Sequence, residues 1–188
     1  LMDKYNLSTN DFIFIFVARF RKEKRHDLAI AGMEKAYLAN KNIKIVFVGD
    51  GPTIEHSKKL CLSSVNPEMF VFAGNQRSVR EYLALSHCFM LCSDAESFSI
   101  ATLEAMAMGL PIISSDVGGQ SEMIKKGVNG MLFDPGNVDD LAQCIKSIAS
   151  NPDRAKKMGN KSKKIFNENF TSGKMLDKYS MLFESLSK

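Results

Sequence analysis

No apolar run in this chain approaches the roughly 20 residues a membrane span requires; runs such as "FIFIFVA" and "IKIVFVG" are far shorter. No basic-then-apolar signal segment opens the sequence, so a cytoplasmic protein is expected. Low-complexity tracts and internal repeats are lacking, which excludes solenoids and extended disordered architectures. Cysteines number only four, Cys61, Cys88, Cys92 and Cys144, with no zinc-like pair matched by a second pair. They read as small buried hydrophobes in a reducing compartment, and no metal is expected. There is no G-x-G-x-x-G and no Walker sequence, and "VGDGP" is too short for a dinucleotide fingerprint.

What is there is a soluble, globular composition: 188 residues, 45% apolar and 24% charged, enough for one well-buried domain. Six short apolar runs are each followed by a helical pattern or a turn leading into one: Phe12 to Ala18, Ile43 to Val48, Met69 to Phe72, Cys88 to Cys92, Ile112 to Ser114 and Met131 to Phe133. That alternation is written by parallel strands and crossover helices, so the class is α/β. Helices are expected at His26 to Leu38, Thr53 to Leu62, Ser78 to Leu85, Ile100 to Met108, Ser121 to Lys125 and, after an Asn137 cap, Val138 to Ala149, with more helix from Pro152. The last stretch sets Met175, Leu176, Tyr179, Leu182, Phe183 and Leu186 along one face, a stripe that needs cover from this domain's sheet or from another domain. An opening Leu1 close to the first strand suggests a piece of something longer.

The chemistry concentrates in "SDAESFSIATLEAMAMGLPIISSD". Ser97 and Ser99 are good caps, Gly109 sits where a left-handed residue ends a helix, and Pro111 blocks continuation. Glu104 then falls in the second turn of an otherwise buried-looking helix, where a desolvated carboxylate needs a polar partner. Glu96 lies in the entering loop. The free N–H groups of Ser99, Ile100 and Ala101 at the carboxyl edge of a parallel sheet attract an anion, whereas two flanking carboxylates suit sugar hydroxyls. A diphosphate between two sugars satisfies both demands. Arg19 and Lys24 in "VARFRKEKRHD" are candidate counter-charges, and the glycines of "VGDGP" and "DVGGQ" permit close backbone approach at the same edge.

Together "FVARFRKEKRHDLAI", "VFVGDGP", the glutamate stretch and "NGMLFDPGN" resemble the carboxy-terminal, donor-binding domain of retaining GT-B glycosyltransferases of the group-one, family-four class, from about Phe12 onward. Glu96 and Glu104 match that family's E-x7-E signature. The resemblance implies a Rossmann-like, six-stranded parallel sheet with helices on both faces, forming one nucleotide-sugar-binding domain over residues 1–188, with an acceptor-binding amino-terminal domain elsewhere and a terminal helix, 171–188, crossing to it. It implies a hexosyltransferase-type enzyme using a nucleotide-diphosphate sugar without a metal, with this half alone inactive. Catalytic roles fall on Arg19 and Lys24 at the diphosphate and Glu96 at the donor sugar. Glu104 would hold ribose hydroxyls. Main-chain groups of Phe98, Ser99 and Ile100 would cover the phosphates, the backbone around Gln76 and Arg77 would meet the base, and Gly49, Gly118 and Gly119 would line the donor. The departure is at Ser97 and Ser99, where the family has the small pair of "EGFG". Acceptors would be a glycan, a lipid-linked glycan or a small molecule, and nucleic acid is not expected.

Three other readings fit parts of the pattern. Asp94-Ala95-Glu96 looks like the acidic metal triplet of another transferase fold; an epimerase of the related two-domain architecture would share the diphosphate site; a non-catalytic α/β module would use the glutamates structurally. The three histidines, His26, His56 and His87, read as capping or packing groups. Arg154 to Lys164 carries six basic residues and no acid, which is a solvated helix face or a contact for the inner face of an anionic membrane.

Overall fold

Strands Phe12–Val17 (β1), Ile43–Val48 (β2), Phe70–Gly74 (β3), Cys88–Leu91 (β4), Ile112–Ser115 (β5) and Gly130–Phe133 (β6) form a single six-stranded sheet in the computed structural model, which describes residues 1–186. Every pairing is parallel, in the order β3-β2-β1-β4-β5-β6. All residues of β4 and β5, and all but the last of β1, are buried, rather than alternating in and out. Continuous burial is the signature of a sheet covered on both faces. Phe14, Phe16, Phe47, Phe89 and Ile13 are among its fully buried side chains, each stabilising the fold by about 2–3 kcal/mol of apolar transfer.

The covering helices are His26–Tyr37 (α1), Ile54–Leu62 (α2), Arg80–Leu85 (α3), Ile100–Ala107 (α4), Gln120–Met123 (α5), Val138–Ala149 (α6), Pro152–Asn169 (α7) and Ser172–Leu186 (α8). Helix α6 packs on α1 and α7 packs on α4. Asn137 caps α6 by accepting from the Asp140 N–H at 3.0 Å, as its sequence position predicts. Differences from the expected boundaries are local. Pro67–Met69 forms a 3-10 turn, so β3 begins one residue late, and α5 is a single turn because Ile124 is already extended.

One expected alternative resolves clearly. Helix α8 buries no residue, and Met175, Leu176, Tyr179, Leu182, Phe183 and Leu186 are all at least half exposed. The apolar stripe therefore does not fold back onto this domain's own sheet; Ser187 and Lys188 of the expected terminal helix lie outside the described residues. Among the described residues no helix is long and apolar enough to cross a membrane.

Strand order 3-2-1-4-5-6 places a topological switch between β1 and β4, where the chain leaves in opposite directions and opens a crevice at the carboxyl ends of the strands. The loops after β1, β2, β3, β4 and β5 all emerge there.

Candidate active site

Arg19 leaves β1 in a loop zipped against the loop that follows β2. The Ala18 N–H donates to Val48 O at 3.1 Å and the Phe20 N–H to Asp50 O at 2.9 Å. Gly49 makes the contact feasible: its φ is 142°, and a Cβ there would lie 2.1 Å from Ala18 O. A cavity of about 630 Å³ opens between these loops, lined by Arg19, Gly49, Asp50, Gly51, Pro52 and Asn75. Arg19 is exposed, and its guanidinium has no hydrogen-bond or ion-pair partner among the described residues.

Glu96 is anchored from several sides. Lys24 Nζ donates to Glu96 Oε2 at 2.5 Å, with only 23% and 13% of the two side chains exposed. The Ser93 hydroxyl donates to the same oxygen at 3.2 Å, and the Ser115 hydroxyl holds Ser93 in turn by donating to its carbonyl at 2.6 Å. The loop after β5 clamps the main chain. Gly119 N–H reaches the carbonyls of Glu96 and Ser97 at 3.3 and 3.2 Å, and a Cβ on Gly118, whose φ is 51°, would sit 1.8 Å from Glu96 O. The sequence reading put Lys24 on a diphosphate and Glu96 on a sugar; in the structure these two charges hold each other. Removing either one would strand the other in a mostly desolvated position.

Helix α4 begins as its sequence predicts. Ser99 is the cap, accepting from the Thr102 N–H at 3.2 Å, and Gly109 is left-handed with φ 78°. Ile100 is 72% exposed, and the half-exposed Phe98 ring lies 5.9 Å from that of Phe170. The expectation that Glu104 is desolvated is corrected. The helix buries Thr102, Ala105 and Met106, and Glu104 is on the exposed side, its carboxylate without a hydrogen-bond or ion-pair partner among the described residues. Glu104 and Arg77 line one cavity of about 440 Å³ with Ser78, Arg80, Leu83 and Met108. The carboxyl edge thus brings Arg19 with Gly49, Lys24 with Glu96 and Gly118, and Arg77 with Glu104, as three neighbourhoods of one edge. Gln76 turns inward, its Nε2 donating to Ala73 O at 2.5 Å.

Sequence reasoning missed the two serines that hold Glu96. The available signal was a small hydroxyl residue at the ends of two adjacent, otherwise apolar runs. Of the histidines, His87 packs as expected: its Nδ1 accepts the Ile13 N–H at 3.0 Å, and burial pushes its pKa down. His26 begins α1 and is 2% exposed, its ring stacked 3.9 Å from Phe20. Burial, opposed by Asp27 and aided by Lys24, pushes its pKa down to about 4, so it is neutral at physiological pH. All four cysteines are buried and unpaired, and among the described residues no group of three or more His, Cys, Asp or Glu side chains could hold a metal ion.

A family profile described as "Glycosyl transferases group 1" matches residues 1–165. The chain belongs to the group 1 glycosyl transferases. It is similar to N-acetyl-alpha-D-glucosaminyl L-malate synthase of Bacillus anthracis, with 31% identity over 183 residues, covering 97% of this chain and 48% of that protein. It is also similar to a sulfoquinovosyl transferase of Arabidopsis thaliana, with 30% identity over 139 residues, or 72% of this chain and 26% of the relative. Among solved structures, HepE of Anabaena in complex with UDP superposes with a TM-score of 0.90 at 18% identity, over 98% of this chain and 51% of that one. This transferase chain therefore has the Rossmann-like fold seen in one half of GT-B enzymes, and it spans about half the length of the Bacillus relative.

Proposed function

We propose that this group 1 glycosyl transferase chain is the donor-binding half of a retaining enzyme that transfers a sugar from a nucleotide diphosphate. The observation that carries the reading is the ion pair of Lys24 and Glu96 beside the Arg19 guanidinium, unpartnered among the described residues, at the carboxyl edge of the switch point. An arriving diphosphate offers Lys24 a second anion in place of Glu96. The released carboxylate, still fixed by Ser93, then accepts hydrogen bonds from hydroxyls of the donor sugar. Arg19, with its planar fork, grips the outer phosphate oxygens. Glu104, open to solvent on α4, takes the ribose hydroxyls, and Arg77 and the backbone at Gln76 face the base. Phe98, Ser99 and Ile100 present the start of α4 to the phosphates, with Gly118 and Gly119 keeping the loop close.

In the proposed reaction the bond from the anomeric carbon to the diphosphate oxygen breaks, its electron pair going to the leaving group. The transition state is oxocarbenium-like. The acceptor hydroxyl attacks from the face the diphosphate leaves, passing its proton to a diphosphate oxygen, so configuration is retained. The two cations stabilise charge that develops on the leaving group, which is where fixed electrostatics lower a barrier most. Neither glutamate acts as a nucleophile. The apolar stripe of α8 crosses to an acceptor-binding domain, which completes the site.

Calorimetric titration of the full-length protein with UDP, GDP and ADP, followed by their sugar conjugates, tests the donor class. NMR of the product anomer and turnover in excess chelator test the rest. Absence of binding to every nucleotide would sink the reading, and a donor epimer formed without acceptor would replace it with an epimerase.

A further inference from the structure

Two turns meet at the switch point, residues 21–27 ahead of α1 and residues 93–96 after β4, and three successive positions join them. The Asp94 N–H donates to Glu23 O at 2.8 Å, Lys24 Nζ to Glu96 Oε2 at 2.5 Å, and Arg25 Nη1 to Asp94 Oδ1 at 2.9 Å. Only the middle link belongs to the site described above.

Arg25 makes its link from an unusual backbone. Its φ of 51° and ψ of 50° are left-handed, and apart from Asn6 it is the only non-glycine residue with positive φ among the described residues. A Cβ makes that conformation costly for an arginine. The position ends the 3-10 turn Lys22–Lys24 and opens α1, so the reversal sends Lys24 and Arg25 to different residues of the facing turn. A fork holds it there. Nε donates to both oxygens of Asp27 at 3.1 and 3.2 Å and Nη2 to Asp27 Oδ2 at 3.1 Å, while Nη1 reaches Asp94. These contacts hold the guanidinium pKa above its ordinary value. A planar guanidinium can bridge two carboxylates in one fixed geometry, which the point charge of a lysine cannot. A strained residue kept in place by a charged clamp, next in sequence to a functional lysine, points to a positional task.

Resting on the donor reading above, we propose that Arg25 and Asp94 are positioning residues for sugar transfer, holding the turn of Lys24 against the turn of Glu96 while Lys24 changes partner. As Lys24 turns to the diphosphate, its own bond between the two turns opens. The Arg25–Asp94 pair and the main-chain bond from Asp94 to Glu23 are then what keeps the cation at the leaving group in register with the carboxylate at the sugar. A misplacement of about 1 Å between such groups costs on the order of 100-fold in rate. Arg19 and Lys24 can each still meet a phosphate when the turns drift apart, so the loss falls on turnover rather than on diphosphate affinity. Asp94, which the sequence offered as one end of an acidic metal triplet, is committed to a guanidinium instead.

The test titrates the full-length protein and its variants calorimetrically with UDP, GDP and ADP, and takes kcat from the slow release of diphosphate from UDP-glucose, UDP-N-acetylglucosamine, GDP-mannose or ADP-glucose. Glycine adopts a left-handed φ without strain, so Arg25→Gly removes the fork and spares the backbone. Arg25→Gly and Asp94→Asn should each lower kcat about tenfold while changing the diphosphate Kd by less than about twofold. Combined, they should do no more than either alone, as partners in one contact do, and Asp94→Glu should restore the rate to within about threefold. Should Arg25→Gly unfold, Asp94→Asn, at a half-exposed position, carries the expectation. Parent-like kcat in a folded variant, losses that multiply in the double variant, or diphosphate affinity falling in step with kcat would each overturn the proposal. A parent that binds none of the three diphosphates would instead sink the donor reading, and this proposal with it.

Discussion

The two edges of the sheet each present a histidine, one exposed and one buried, and they differ in how their polar groups are satisfied. At the amino edge His87 accepts the Ile13 N–H, and its own N–H donates to Ile13 O at 2.7 Å through the main chain, so its polar groups are committed to joining β1 to β4. At the carboxyl edge His26 is only 2% exposed, far more buried than the exposed His87, yet its ring nitrogens meet no partner among the described residues. Desolvation lowers the pKa of both, to about 4 for His26. Burial and hydrogen bonding are therefore separate properties of a ring, and only the second tells whether its polar groups are satisfied. The Arg19 guanidinium and the Glu104 carboxylate, unpartnered among the described residues, belong to the same edge.

The sharpest way to break this contrast is a pair of glycines. Gly118→Ala drives a Cβ into Glu96 O at a left-handed φ, and should destabilise the protein by about 4 kcal/mol and abolish donor binding. Gly127→Ala, ahead of β6 at the amino edge, is also left-handed but has nothing within 4 Å of its Cβ, so only the backbone strain, roughly 1 kcal/mol, is expected. Denaturant unfolding of both variants measures the difference, and equal losses would show that the carboxyl-edge clamp is not special.

Next come the cations. In the full-length enzyme Arg19→Ala and Lys24→Ala should each lower kcat by about 100- to 1000-fold. Only Lys24→Ala should also destabilise the fold, because Glu96, 13% exposed, keeps the Ser93 hydroxyl but loses its counter-charge. Near-normal turnover in either would count against the diphosphate assignment.

A pH series tests the histidines. His26 has its folded pKa at about 4, below its ordinary 6.5, so the unfolded chain binds the proton first. Stability is therefore full above pH 6.5 and falls as pH drops toward 4, by roughly 3 kcal/mol from this group. His26→Phe should flatten that part of the profile, leaving the smaller slope of His87. A variant profile that overlays the parent would show that His26 is solvated.

Smaller effects follow. Glu104→Ala should leave stability within about 0.5 kcal/mol, since the side chain is exposed, while weakening donor binding at least tenfold. Leu182→Ser should hardly affect the unfolding of residues 1–188, because Leu182 is 51% exposed, but should destabilise the full-length protein if α8 meets a second domain.

Sequence reached the sheet because parallel strands announce themselves: buried runs such as "FIFIFV" and "IKIVFV" are short, continuous and separated by helical spacing. It reached the cap at Ser99 and the left-handed Gly109 for similarly local reasons. It misjudged Glu104 because α4 is short, and eight residues give too little periodicity to tell which face is covered. It could not foresee the pairing of Lys24 with Glu96, 72 residues apart, or the hold of Ser115 on Ser93, since both contacts exist only once β1, β4 and β5 lie side by side.

The bond between Lys24 and Glu96 carries a consequence for ionic strength. A lysine that already has its counter-ion built in offers little unscreened field to an approaching donor, so long-range capture falls to solvent-facing Arg19. Raising salt from millimolar to molar levels should then slow donor association while leaving dissociation nearly unchanged, because the exchange at Lys24 takes place out of reach of the mobile ions.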